Sequence, residues 1–148
     1  MSVVRGRTWV AGAAAAAVLL AAADTYVIVL ALPSMLGDVG LSIDRLQQAT
    51  PLISGFLLGY VAMMPLIGRL SDMHGRRPVL YVCLAIFAAG SLVTASAHDL
   101  ASAVAGRALQ GVGGGGLVPV TLALVADLWP PANRGTPLGA VGAAQELG

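Results

Sequence analysis

Residues 68–77 read GRLSDMHGRR and separate two apolar runs, each long enough to cross a bilayer. Arg69, Asp72, His74, Arg76 and Arg77 fall inside this stretch, which is the most charged in the chain. Ionised side chains are costly in hydrocarbon, so a charged link between two membrane-length segments has to turn at the water boundary. Gly68 and Gly75 suit close backbone turns there. Working outward, Thr50 to about Leu70 is one predicted span and Pro78 to about Ala97 the next. A proline in the first turn is compatible with a helix start, where its missing N–H is not needed.

Composition agrees with a membrane. The chain has 148 residues, of which 57% are hydrophobic and 10% charged. Soluble domains carry roughly 25% charged residues. Mean hydropathy is +0.85. The formal net charge of +1 implies no strongly acidic or basic partner. Few aromatics and scattered arginines argue against nucleic-acid binding. Cys83 is the single cysteine and lies in an apolar run, so it forms no internal disulfide and reads as a packing residue.

The remaining segments fall into place around these two spans. A first apolar run covers about residues 9–33 after a short basic start with Arg5 and Arg7. A secretory signal peptide is the rival there, because Ala21-Ala22-Ala23 resembles a cleavage site. The run nevertheless resumes at once and totals roughly 25 residues, longer than an h-region of about 7–15. Ser34 to Gln48 reads as an extramembrane link. His98-Asp99 is a very short link, and a fourth span follows over about residues 101–125. Asp127 to Gly135 is polar. A fifth helix opens near Thr136-Pro137 and covers residues 136–148. About a dozen residues make roughly 18 Å of helix, short of a core of about 30 Å, so this chain is expected to be truncated within its fifth span. Arg5, Arg7, Arg69, Arg76, Arg77 and Arg134 fall on one side, and Arg45 on the other. The positive-inside rule predicts a multi-pass cell-membrane protein with a cytoplasmic N-terminus.

The pattern G-x-L-x-D-x-x-G-R-R, carried by Gly68, Leu70, Asp72, Gly75, Arg76 and Arg77, resembles the loop between helices two and three of major facilitator superfamily transporters. The resemblance covers nearly the whole chain. It implies an all-α membrane protein: an incomplete N-terminal half of a major facilitator domain, four transmembrane helices plus the start of a fifth. It also implies that Gly68, Asp72, Gly75, Arg76 and Arg77 form a conformational switch, with the aspartate latching the outward-facing state. The physical reading points the same way. A carboxylate at the end of its own helix faces the negative pole of the helix dipole and needs a compensating partner. Arg76, or the N-terminus of another helix, would serve. A plain basic topogenic loop is the alternative.

Three ionisable residues lie inside predicted spans. Asp24 is roughly 15 residues into the first, where an ionised carboxylate costs about 2.5–3.5 kcal/mol on insertion scales unless it is paired, protonated or wet. Arg107 lies in the fourth, keeps its charge, and needs a counter-ion or water. Both fall in the outer half of the bilayer, so they are within pairing reach. Glu146 lies near the midplane of the fifth. The alternatives are a boundary carboxylate, a snorkelling arginine and a polar residue at the end of an incomplete helix. Asp24 to Pro33, DTYVIVLALP, resembles the first-helix motif of drug:proton antiporters, although Tyr26 and Val29 stand where that motif has threonine and asparagine. Arg107, Gln110 and Gly111, in RALQG, match the family's fourth-helix pattern R-x-x-Q-G. GAAQELG, Asp24-Thr25-Tyr26, the ADLW at Ala126 to Trp129, and Asn133-Arg134 resemble a lipid-exporting branch found in mycobacteria and relatives. That resemblance implies that Asp24 and Glu146 are functional acids, and Arg107, a fixed cation within pairing reach of Asp24, is expected to take part in proton coupling with it.

Gly111 to Gly116 literally satisfies G-x-G-x-x-G, but a dinucleotide site needs a preceding strand and a βαβ unit, which the apolar flanks contradict. Gly111 and Gly115, with Gly55-x-x-x-Gly59, read instead as small-residue surfaces for close helix packing. His74 and His98 lack zinc-ligand spacing, and no metal site or catalytic set is evident. The expected function is a proton-coupled secondary transporter, a multidrug or lipid exporter working by alternating access and not an enzyme. It would use no cofactor beyond the proton gradient. Its partners would be the lipid bilayer, an amphipathic small molecule or lipid as substrate, and the missing remainder of the transporter. The rival is an inactive fragment or a non-transporting membrane assembly subunit.

Overall fold

A computed structural model of the protein describes residues 12–24, 26 and 50–147. Every regular element among them is helical. The first helix, α1, runs Gly12–Asp24, and the remainder of the predicted first span and the link after it lie outside the described residues. Helix α2 spans Thr50–His74, α3 Arg76–Ala95, α4 Leu100–Leu128 and α5 Gly135–Leu147. A 3-10 turn over Pro131–Asn133 joins α4 to α5. Helices α2, α3 and α4 are long and apolar enough to cross a membrane.

The charged stretch is not a ten-residue loop. Helix α2 runs on through Asp72 to His74, and α3 begins at Arg76, so Gly75 alone makes the turn. Gly75 has φ 92° and ψ 150°, a region that only glycine enters without strain. Gly68, read from sequence as a turn residue, is an ordinary helical position whose carbonyl accepts from Ser71 Oγ at 2.7 Å. Helical hydrogen bonding persists here because nothing breaks it before Gly75.

The other boundaries have local causes. Asp99 caps α4, accepting from the Ser102 N–H at 2.8 Å, as aspartate does at helix N-termini. That bond, and the Ser102 hydroxyl after it, hold the Asp99 carboxyl below the usual carboxylate range. At its other end α4 extends past the predicted Val125 to Leu128, so Asp127 belongs to its last turn rather than to a link. Trp129 then turns extended, at φ −115° and ψ 139°, because Pro130 follows it. Arg134 Nε donates to the Trp129 carbonyl at 2.7 Å and closes the connection to α5.

Helix α4 is the central element. In its most apolar window 61% of residues are buried, against 17% for α2 and 22% for α3. It packs on both of those helices, which touch each other much less. Glycine makes this possible. Gly111 and Gly115 lie against the α2 backbone at Phe56 and Tyr60, while Gly55 and Gly59 of α2 face Val104 and Ala108 of α4. On the opposite side, Gly113 lies against the α3 backbone at Cys83 and Phe87. The outer faces of α2 and α3 stay apolar: Leu58 is 76% exposed and Leu92 72%. Such surfaces suit lipid or further helices and are unusual in water.

Candidate functional site

Arg107 is the largest fully buried side chain among the described residues, at 1% exposure. It lies seven residues past Leu100, the start of α4, or about 10 Å along the helix. Its Nη1 donates to Asp24 Oδ2 in an ion pair and to Gln110 Oε1 at 3.0 Å. Its Cζ stands 4.5 Å from the centre of the Phe56 ring, a cation over an aromatic face. Arg107 Nε is buried and has no hydrogen-bond partner among the described residues.

Gln110 is the hub of the cluster. Its Nε2 donates to Asp24 Oδ1 at 3.1 Å and to Ser91 Oγ at 2.8 Å. Its Oε1 accepts from Arg107 and also from Thr94 Oγ1 at 3.2 Å. A glutamine amide offers two N–H donors and two lone pairs, so Gln110 is saturated. Reversing the amide would aim its NH2 at the guanidinium, so these neighbours settle its orientation. Helical spacing builds the arrangement. Arg107 and Gln110 stand three apart on one face of α4, and Ser91 and Thr94 three apart on one face of α3. Close approach of the helices brings the faces together: a Cβ on Gly90 would fall 2.5 Å from the Gln110 nitrogen and 2.9 Å from the Gly106 carbonyl oxygen.

An apolar cavity of about 290 Å³ opens between α1, α2, α4 and α5, lined by Val18, Ala22, Phe56, Tyr60, Val118 and Gln145 among others. Phe56 belongs to both places: one side chain walls the cavity and covers Arg107.

A second cluster surrounds Arg76. Its guanidinium pairs with Asp72 at the end of α2 and donates through Nε to Asp127 Oδ2 in the last turn of α4 at 3.2 Å. It also donates through Nη1 to Ser71 Oγ at 2.7 Å. One arginine thus ties together the same-side ends of α2, α3 and α4. Asp72 and Asp127 remain largely exposed, at 62% and 59% for their side chains. Arg69 and Arg77 are exposed.

The structure therefore brings Asp24 and Arg107 together, and Asp72 with Arg76. It does not bring Glu146 to them. Glu146 is exposed near the end of α5, with no hydrogen bond to either cluster among the described residues. Ser91, Thr94, Phe56, Ser71 and Asp127 escaped the sequence reading. The spacing of Ser91 and Thr94 in an apolar helix was the one legible signal; the roles of Phe56 and Asp127 depend on helix packing. Among the described residues no group of three potential ligands stands together to hold a metal ion.

Comparison with known proteins places this geometry in a family. Residues 14–148 match the Major Facilitator Superfamily. A triacylglyceride transporter of Mycobacteroides abscessus is 53% identical over 144 residues, covering 97% of this chain and 28% of that protein. One from Mycolicibacterium smegmatis is 55% identical over 132 residues, 89% of this chain and 24% of the other. A probable triacylglyceride transporter of Mycobacterium leprae is 48% identical over 151 residues, 100% of this chain and 30% of its own length. The chain thus spans under a third of the length of these relatives. The match runs through all five helices and both charged clusters, and the chain belongs to the major facilitator superfamily.

Proposed function

We propose that this chain supplies the first helices of a proton-coupled exporter that moves an amphipathic lipid or drug-like molecule across the cell membrane by alternating access. The observation that carries the reading is the ion pair of the fully buried Arg107 with the part-buried Asp24 inside an apolar bundle. A buried pair is a poor stabilising device, because well-packed apolar residues do as well or better. Ionisable groups inside a membrane domain instead mark ion and substrate pathways. The names of the relatives favour a lipid as substrate, and the apolar cavity beside the pair suits one.

Asp24 takes up and releases the coupled proton. Ionised, it holds Arg107 and so links α1 to α4. Protonation removes the carboxylate charge, loosens that link and frees the two helices to shift beside the cavity. Glu146 acts as a second acid once the helices after α5 enclose it. The Arg76 cluster holds the ends of α2, α3 and α4 as one body on the cytoplasmic side, and Asp72 faces the second half of the transporter to stabilise the outward-facing state. No bound cofactor takes part.

The test uses a full-length chimaera in which this chain replaces the matching segment of the Mycolicibacterium smegmatis transporter. Export of a fluorescent lipid from vesicles should respond to an imposed pH gradient and lose that response with Asp24→Asn. Undiminished gradient-driven export in that variant removes Asp24 from the mechanism.

A further inference from the structure

We infer that Phe56 sets the charge selectivity of the apolar cavity: its ring stands between the cavity and the Arg107 guanidinium, so the cavity accepts an uncharged amphipathic molecule and turns anionic ones away. The inference rests on this cavity being part of the proposed substrate path and adds the residue that selects by charge.

The cavity wall carries no ionised side chain among the described residues. Val18 and Val118 are apolar, and Tyr26, Tyr60 and Gln145 offer polar groups without charge. An ionised headgroup entering the cavity would give up water and gain no counter-charge, which is costly. A hydroxyl or ester group loses less, because a tyrosine hydroxyl and a glutamine amide can both donate to it.

A cation stands close to this wall but is hidden from it. Arg107 is 1% exposed and does not line the cavity. Phe56 does line it, and Arg107 Cζ lies 4.5 Å from the centre of its ring. Helix packing holds the ring in place. Gly111, one turn after Arg107 on the same face of α4, lies against the Phe56 backbone. Tyr60, one turn after Phe56 on α2, stacks on the ring at 5.8 Å between centroids and 29° between planes. Phe56 is itself buried.

Removing the ring would have an effect of definite sign. Asp24 has both oxygens engaged, Oδ2 by Arg107 and Oδ1 by Gln110. Arg107 has a donor to spare, because Nε has no partner among the described residues and is bonded to the Cζ that lies over the ring. Opening the wall would therefore present a donor on a cation rather than a free acceptor on a carboxylate. Such a site favours an anion over a cation.

The experiment uses the full-length chimaera in vesicles without a gradient, so that it reads binding and not coupling. Three photoreactive probes share one alkyl chain and differ in headgroup: an uncharged glycerol ester, a sulfonate and a trimethylammonium. Mass spectrometry of the peptides carrying Val18 and Val118 gives the labelling by each, counted where an excess of the same unlabelled compound suppresses it. The parent should take the glycerol ester about tenfold better than either ion. Phe56→Ala should raise sulfonate labelling about tenfold and leave the trimethylammonium probe excluded. Phe56→Val is made alongside, so that loss of folding in one variant leaves the other, and should change in the same direction. A parent that takes the sulfonate as readily as the ester overturns the inference. So does the parent's selectivity retained in both variants, and so does equal admission of both ions, which is a widened cavity without charge selection. A parent labelled by none of the three removes the cavity from the substrate path and overturns that part of the proposed function as well.

Discussion

Replacing Gly113 by alanine tests the claim that helix α4 is central because its glycines let neighbouring backbones touch it. A Cβ at Gly113 would fall 2.5 Å from the Phe87 nitrogen and 2.6 Å from the Cys83 carbonyl oxygen. Ordinary contact begins near 3.4 Å, so α3 would have to retreat by just under an ångström. Both obstructing atoms are backbone atoms of one helix, and no side-chain rotation can clear them. Overpacking of this kind costs about 1–3 kcal/mol. Alanine is a better helix former than glycine by about 1 kcal/mol, which offsets part of the cost but not its upper range. Cys83 is the only cysteine, is 1% exposed, and lies on the α3 face concerned. Its labelling by a maleimide therefore reports separation of α3 from α4. Gly113→Ala should raise the labelling rate by roughly fivefold or more, using 1 kcal/mol as a net destabilisation, and lower the melting temperature in detergent. Gly139→Ala, with nothing within 4 Å of its added Cβ, should leave Cys83 protected and melt at the same temperature or slightly higher. Equal protection of Cys83 in both variants would refute the close-packing argument.

Other consequences can be measured in the same preparation. Arg107→Leu leaves Asp24 without its cation and should destabilise the protein by about 3–5 kcal/mol, whereas combining it with Asp24→Asn should recover much of the loss; thermal melts of the single and double variants decide this, and an additive double variant would contradict it. Gly75→Ala places a side chain at φ 92° and ψ 150°, which should cost of order 1–3 kcal/mol and show as faster proteolysis between α2 and α3. The Asp99 carboxyl is held low by the Ser102 N–H, so its cap contributes fully above the unfolded value of about 3.9 and is lost as pH falls through the lower folded value. Exchange of the Ser102 amide, corrected for its intrinsic rate, should therefore stay protected at neutral pH and lose protection only in strong acid. Asp99→Asn, which still caps, should show no such step.

Helix type, helix number and the membrane were legible along the chain because they depend on local properties: run length, apolar content and where charge interrupts it. The family was legible for a similar reason, since Gly68 to Arg77 and Arg107 to Gly111 carry spaced motifs that survive without any neighbour. Pairing of Asp24 with Arg107 was half visible, because a charge buried in an apolar span demands a partner, but sequence alone does not say which oxygen meets which nitrogen. That the charged link shrinks to Gly75, and that Asp127 sits in α4 to meet Arg76, became visible only in three dimensions, because helix ends are decided by competition between the next hydrogen bond and the next packing contact. The saturated Gln110 belongs to tertiary structure alone: it exists only where α3 and α4 approach closely enough, through Gly90 and Gly106, for the Ser91 and Thr94 hydroxyls to reach its amide.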